Sequence, residues 1–204
     1  MLGQADDVEL LLIRHALPER VEVVGRPADP PLAELGHRQA MALAEWLSHE
    51  PIDSLYVSPM RRARQTAQPL AAVCGLDPVV VEGVAEYDRH AEAYVPIEEL
   101  KATNDPRWQE MLDGKYFEDG ELDAEGFQRT VVDTLDGIIA DNRSRTAAVV
   151  CHGGVINAFV GRVLGLEQFM VFEPMYTGIT RVRASSQGHR MVVTLNEFPH
   201  LRDL

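Results

Sequence analysis

Apolar and polar positions alternate along the chain in blocks that read as short buried strands separated by amphipathic helices. Val8 to Ile13 (VELLLI) is nearly all apolar and ends in Arg14-His15, the signature of a strand covered on both faces. From Ala33 to His49 the apolar positions Leu35, Leu43, Trp46 and Leu47 recur at helical spacing, and Pro51 stops the pattern. Leu55–Val57 predicts a second strand. Ser58-Pro59 then predicts a helix start, with Ser58 as N-cap and Pro59 in the first turn, running to about Cys74 and closed by Gly75. Pro78–Val81 predicts a third strand. Phe127, Val131, Leu135, Ile138 and Ile139 mark one apolar face of a longer helix. Ala147–Val150 predicts a buried strand entering Cys151-His152-Gly153-Gly154 and a helix through Leu164. Thr180–Ala184 and Met191–Leu195, joined by Ser185 to His189, predict a hairpin.

Strands alternating with helices predict an α/β fold, a three-layer α/β/α sandwich with a mostly parallel central sheet and an antiparallel element near the C-terminus. One domain over 1–204 is expected, with 87–126 as a cap or specificity insertion. That segment mixes short helical patterns with turns such as Asn104-Asp105-Pro106 and Glu118-Asp119-Gly120, and it is expected to cover one end of the sheet. Sites in such sheets form beyond the carboxyl ends of strands. Two predicted strands end directly in a histidine, His15 and His152.

A neutral imidazole attacks phosphorus when one ring nitrogen is free and the other is held as a donor, and an adjacent Arg14 offers a planar fork for phosphate oxygens. Glycines opening a helix after His152 let backbone N–H groups approach an anion, and a protonated His152 would share its charge. In the Ser58–Gly75 helix, Arg61 falls in phase with Gln65 and Gln68 on the wet face. Arg62 falls with Thr66 and Leu70 near the core, which favours Arg62 as the phosphate ligand. Glu86, just past the third strand, is placed to protonate a leaving oxygen, and Asp88 competes for that role.

Composition narrows the partners. The formal net charge of −13 disfavours nucleic acid. No apolar run reaches membrane-spanning length, and Met1 to Glu9 lacks a signal-peptide pattern, so a cytoplasmic protein is expected. Two cysteines, Cys74 and Cys151, are too few for a disulfide framework, and neither has an arginine six positions on. There is no Gly-x-x-x-x-Gly-Lys or Gly-x-Gly-x-x-Gly loop, and the seven histidines show no zinc spacing. His37, His49, His90, His189 and His200 are expected on the surface or on helix faces.

Taken together, Leu12-Ile13-Arg14-His15, Gly25-x-x-x-Asp29-x-Pro31-Leu32-x-x-x-Gly36-x-x-Gln39-Ala40, Ser58-Pro59-x-x-Arg62-Ala63-x-Gln65-Thr66-Ala67, Glu86-x-Asp88 and His152-Gly153-Gly154 resemble the histidine phosphatase superfamily, the phosphoglycerate-mutase-like family. The resemblance spans Leu12 to Leu164. It implies that His15 becomes phosphorylated, that Arg14, Arg62 and His152 cradle the phosphoryl group with Gly153 beside them, and that Glu86 protonates the leaving group. It also implies a phosphomonoesterase acting on a small phosphorylated metabolite with no metal and no cofactor, and a homodimer fits the family's habit. The chain departs from the family pattern in Ala16, in Leu17-Pro18-Glu19 and after Glu86, where Tyr87-Asp88-Arg89-His90 replaces the usual glycine and tryptophan. The alternatives on the same scaffold are a phosphoglycerate-mutase-type transferase and a non-catalytic module binding phosphate or a phosphoprotein. Family mutases carry a longer C-terminal tail than Glu197 to Leu204, and the retained candidate residues disfavour a dead module.

Overall fold

In a computed structural model, which describes residues 6–112, 123–185 and 187–204, eight strands and six α-helices alternate along the chain. The strands are β1 (Val8–Arg14), β2 (Val21–Glu22), β3 (Ser54–Val57), β4 (Val79–Val80), β5 (Ala93–Tyr94), β6 (Thr146–Cys151), β7 (Ile179–Ala184) and β8 (Arg190–Glu197). The helices are α1 (Glu34–Trp46), α2 (Arg61–Cys74), α3 (Ile97–Ala102), α4 (Pro106–Leu112), α5 (Ala124–Asp141) and α6 (Gly153–Leu164).

Six strands form one sheet in the order β4-β3-β6-β1-β7-β8, and β7 alone runs against its neighbours. The other two, β2 and β5, pair antiparallel in a separate ribbon. The apolar run in β1 is explained by burial on both faces. Leu10 and Leu12 join α5 and α6 residues such as Leu135, Ile156 and Phe159, whereas Leu11 and Ile13 join Leu43 of α1 and Leu70 of α2. These two clusters are the two interfaces of the expected three-layer sandwich.

Alternate burial along α5 matches its predicted face: Val131, Leu135, Ile138 and Ile139 are buried. α2 ends where Gly75 takes a left-handed conformation (φ 66°), as expected of a C-cap glycine. Its start differs from the sequence expectation. The helix begins at Arg61 with Met60 as N-cap, and no side chain caps it from that position. The Arg61 N–H instead donates to Asp29 Oδ1 (2.8 Å), a cap brought from the loop before α1.

Segment 87–112 wraps back over the sheet's carboxyl end through β5, α3 and α4. It is tied to the loop after β1 by the Val23 N–H to Glu92 O (2.8 Å) and Ala28 N–H to Ala91 O (2.7 Å) bonds. The predicted turn at Glu118-Asp119-Gly120 lies outside the described residues. Among the described residues no helix is long and apolar enough to cross a membrane. Cys74 and Cys151 are free thiols, the first half-buried and the second buried.

Candidate active site

Register builds the site. β1 and β6 are adjacent and parallel, with Arg14 opposite Cys151, so each strand's next residue emerges at the same edge. His15 and His152 therefore stand side by side, with ring centroids 5.1 Å apart. Their backbones are joined by the His15 N–H to Cys151 O bond (2.9 Å). β3 enters the same edge on the far side of β6, which brings Ser58 and then α2 against the pair.

The His15 ring is held at both nitrogens. Nδ1 donates to Ala16 O (2.8 Å), and Nε2 lies 3.2 Å from Arg62 Nε, a donor that has no other role than to give its proton. The two bonds select one tautomer, with hydrogen on Nδ1 and a lone pair on Nε2. Burial, then the neighbouring Arg62 and Arg14 charges, hold the imidazole pKa well below its ordinary value despite the Ala16 bond, so the ring is neutral.

The loop that carries Ala16 is fixed from three sides. The Ala16 N–H donates to Thr66 Oγ1 (2.9 Å) and the Leu17 N–H to Gln39 Oε1 (2.9 Å). Gly36 lets Leu17 approach so closely that a Cβ there would lie 2.0 Å from Leu17 O. Leu32 N–H, donating to Gln65 Oε1 (2.8 Å), anchors the next stretch. Thr66, Gln39 and Gly36 thus act on the backbone just after His15, whereas Gln65 and Asp29 hold Leu32 and the start of α2.

Each arginine is pinned with one buried donor left over. Arg14 Nη1 donates to Pro174 O (2.6 Å), and its guanidinium lies 3.9 Å from the centre of the Tyr176 ring. Arg62 Nη2 pairs with Asp88 Oδ1 (3.3 Å), and its guanidinium lies 4.7 Å from the centre of the Tyr94 ring. Arg14 Nε and Arg62 Nη1 are buried without a protein partner, as is His152 Nδ1. Buried donors in proteins are ordinarily paired, so two unpaired guanidinium N–H donors at one cleft, with an unpartnered ring nitrogen of His152 behind His15, suit an anionic ligand with several oxygens.

His152 Nε2 lies 2.7 Å from Ser58 Oγ, and that hydroxyl oxygen accepts from the Met60 N–H (3.3 Å). This is why Ser58 does not cap α2: its hydroxyl is drawn to the histidine. The expected protonation of His152 is not the resting state. Burial, Arg62, His15 and Arg14 all push its pKa well down, so the ring is neutral, and in the tautomer whose Nε2 accepts from Ser58 its Nδ1 is the donor.

Glu86 lies across the cleft mouth. Its carboxyl accepts from the Gly154 N–H (2.9 Å) at the start of α6 and from the Tyr87 N–H (3.1 Å). Burial and the nearby Asp88 raise its pKa to about 7, against the pull of those N–H donors and Arg62. Asp88 is engaged with Arg62 and is more open to water, so Glu86 is the carboxyl placed to hold a proton near neutrality. Gly153 and Gly154 line the cleft. Gly154 is the tighter position, because a Cβ there would fall 2.3 Å from Glu86 Oε1, while one on Gly153 would meet only Arg14 Nε at 3.9 Å.

Sequence reasoning missed Tyr94, Tyr176 and Glu98. Tyr176 Oη donates to Glu98 Oε2 (2.9 Å), and Glu98 stands 4.0 Å from Arg14 Nη1. Neither tyrosine sits in a periodic pattern that would mark it. His200, expected on the surface or on a helix face, lies half-buried in the helical turn Pro199–Leu201 with Nε2 2.9 Å from Thr177 Oγ1, beside the Tyr176 backbone. Among the described residues no group of three or more His, Cys, Asp or Glu side chains is arranged to hold a metal ion.

Over 166 residues the chain is 32% identical to phosphoserine phosphatase 1 of Hydrogenobacter thermophilus, covering 78% of each. It is 27% identical over 167 residues to a probable phosphoglycerate mutase of Yersinia enterocolitica, covering 78% of this chain and 76% of that one. A variant of the phosphoserine phosphatase of Entamoeba histolytica, solved with phosphoserine, superposes with a TM-score of 0.76 at 24% identity, over 95% of this chain and 99% of that one. Mycobacterial glucosyl-3-phosphoglycerate phosphatase superposes with a TM-score of 0.74 at 19% identity, over 94% and 100%. The model of the histidine phosphatase superfamily, branch 1, matches residues 10–197, and the chain belongs to that family.

Proposed function

We propose that this phosphatase hydrolyses a small phosphomonoester through a phosphohistidine on His15, without a metal ion. The observation that carries the reading is the two-sided hold on His15, with Nδ1 donating to Ala16 O and Nε2 left as the lone pair inside a cleft of unpaired donors. A phosphoryl group entering beside Nε2 takes the Arg62 proton donor onto one of its own oxygens, freeing the lone pair. Arg14 Nε, Arg62 Nη1 and, in the tautomer that accepts from Ser58, His152 Nδ1 then supply fixed donors to the transferring group, and the two guanidinium groups carry the positive charge that other phosphoryl-transfer sites draw from magnesium.

In the first half-reaction the Nε2 lone pair forms the N–P bond as the P–O bond to the alcohol breaks. Glu86 delivers its proton to the departing oxygen. In the second, water attacks phosphorus, Glu86 takes a proton from it, and the N–P bond breaks to release inorganic phosphate. The relatives named as phosphoserine phosphatase and glucosyl-3-phosphoglycerate phosphatase support a small phosphorylated metabolite as substrate.

The first test is hydrolysis of p-nitrophenyl phosphate in excess EDTA, with the phosphate released counted against the phenol released, beside His15→Ala. Equal release by the wild type, lost by at least 10³-fold in the variant, is the expected result. Turnover that survives in His15→Ala, or that EDTA abolishes, would overturn the mechanism. Phenol released in excess of phosphate would point instead to phosphoryl transfer onto a second acceptor.

A further inference from the structure

The cleft is charged at one end and apolar over most of the rest. Beyond Arg14, Arg62, Glu86 and Asp88, its wall is made by Ala93, Val95, Ile97, Leu100, Met170 and Pro174, drawn from β5, α3 and the loop after α6. The phenol of Tyr94, in the same wall, is engaged with Tyr176. Among the described residues two charged side chains, Arg107 and Glu173, stand with these, and each already has an opposite charge. Arg107 donates through Nε (2.9 Å) and Nη2 (2.8 Å) to Asp105, and Glu173 accepts from Lys101. Charges satisfied within the protein lose those bonds if they turn to a ligand.

The body of a substrate bound by its phosphate at Arg14 and Arg62 must lie along this wall. A polyol or glycerate body would set hydroxyls or a carboxylate against methyl and methylene groups, and a hydroxyl left without a partner there costs about tenfold in binding. An apolar body would gain with every carbon it buries. We propose that the site selects phosphomonoesters whose alcohol carries an apolar body, an alkyl or aryl group seated against Val95, Ile97, Leu100 and Met170. This rests on the phosphatase reading and goes beyond it by assigning the leaving group's class.

The test is kcat/KM in EDTA for methyl, propyl and hexyl phosphate and phenyl phosphate, run beside phosphoserine and 3-phosphoglycerate. The three straight-chain alcohols are nearly equal in acidity, so their leaving ability is constant and only the body varies. The expected result is a rise of about two- to fourfold per added methylene until the cleft is filled, with phosphoserine below hexyl phosphate. A flat series, or phosphoserine or 3-phosphoglycerate outrunning hexyl phosphate, would overturn the inference while leaving the phosphatase standing. Hydrolysis of none of the esters would remove both.

Val95→Thr checks the placement with little change of volume, because it swaps a methyl for a hydroxyl at a half-buried position. The hexyl-to-methyl ratio of kcat/KM is expected to fall severalfold. An unchanged ratio would show that the alkyl chain lies elsewhere.

Discussion

Two parts of the molecule meet at the cleft and are built on different terms. The sheet edge presents Arg14, His15, Ser58, Arg62 and His152, all buried, from strands and helices whose other side chains fill the two cores. The covering segment, 87–112, has one strand of two residues and helices of six and seven, and many of its side chains are exposed. Moving a residue at the edge would disturb packing across a layer, and densely packed interiors resist that. Moving one in the cap breaks a few exposed bonds, such as Arg107 to Asp105 or Arg20 to Glu99. Under the proposed function, the contrast places the chemistry on the rigid edge and the contacts to the substrate's body on the more exposed cap.

Glu86 sits where the two parts join, so its removal probes both. Its carboxyl, with a pKa raised to about 7, is protonated on the acid side of that value, while His15 stays neutral because its own pKa is pushed well below the ordinary one. The proposed acid and nucleophile are thus both in their working forms from mildly acidic pH up to about 7, and activity is expected to fall above it. Glu86→Gln should cost about 10²–10⁴-fold with alkyl phosphates and far less with p-nitrophenyl phosphate, whose leaving group needs no proton. The ratio of wild-type to variant kcat/KM against pH cancels the substrate's own ionisation. That ratio should decline above about 7, and a ratio independent of pH and leaving group would remove Glu86 from the acid role.

Legibility in the sequence follows the same division. The apolar runs ending in His15 and His152 were readable because strands buried on both faces admit little else, and parallel register then sets their next residues side by side. Helical phase separated Arg62 from Arg61, and the structure has one buried and the other exposed. Ser58 was misread because Ser-Pro before an amphipathic run is a good helix start, and nothing local reveals that His152 takes the hydroxyl. Tyr94, Tyr176 and Glu98 meet from three separate elements, and their pairing with the arginines is a product of the chain path alone. His200 is of the same kind: only the fold's closure brings Pro199–Leu201 back to Thr177.

A subtler break at the same junction comes from glycine. Ala at 154 would place its methyl 2.3 Å from Glu86 Oε1 and 2.7 Å from the Tyr87 ring, too close for either to stay. Ala at 153 meets Arg14 Nε at 3.9 Å, an ordinary contact. Gly154→Ala is therefore expected to lose about tenfold or more in kcat on alkyl phosphates through a displaced acid, with the loss shrinking on p-nitrophenyl phosphate. Gly153→Ala is expected to lose severalfold less and to show no such leaving-group dependence. Matching losses for the two variants would mean that both glycines serve only the backbone's approach to the anion.

The smallest expected effect lies behind the edge, at His200. Thr177, whose hydroxyl meets His200, has φ 56° and donates its N–H to Arg14 O (3.0 Å), so the histidine braces the turn that carries Tyr176 onto Arg14. Burial lowers the His200 pKa to about 4. Between that value and the ordinary histidine pKa of about 6.5, the unfolded chain binds a proton that the folded chain refuses. Stability is accordingly full above about 6.5 and declines as pH falls toward 4. His15 and His152 are depressed in the same direction and add to the decline, so the wild type should lose Tm steadily through this window. His200→Asn offers an amide toward Thr177 and cannot titrate. Its Tm should lie near the wild-type value at pH 7.5, and its fall toward pH 4.5 should be shallower by a few degrees. Parallel curves would mean that His200 takes up its proton in the folded protein, with the Thr177 turn held by its backbone bonds alone.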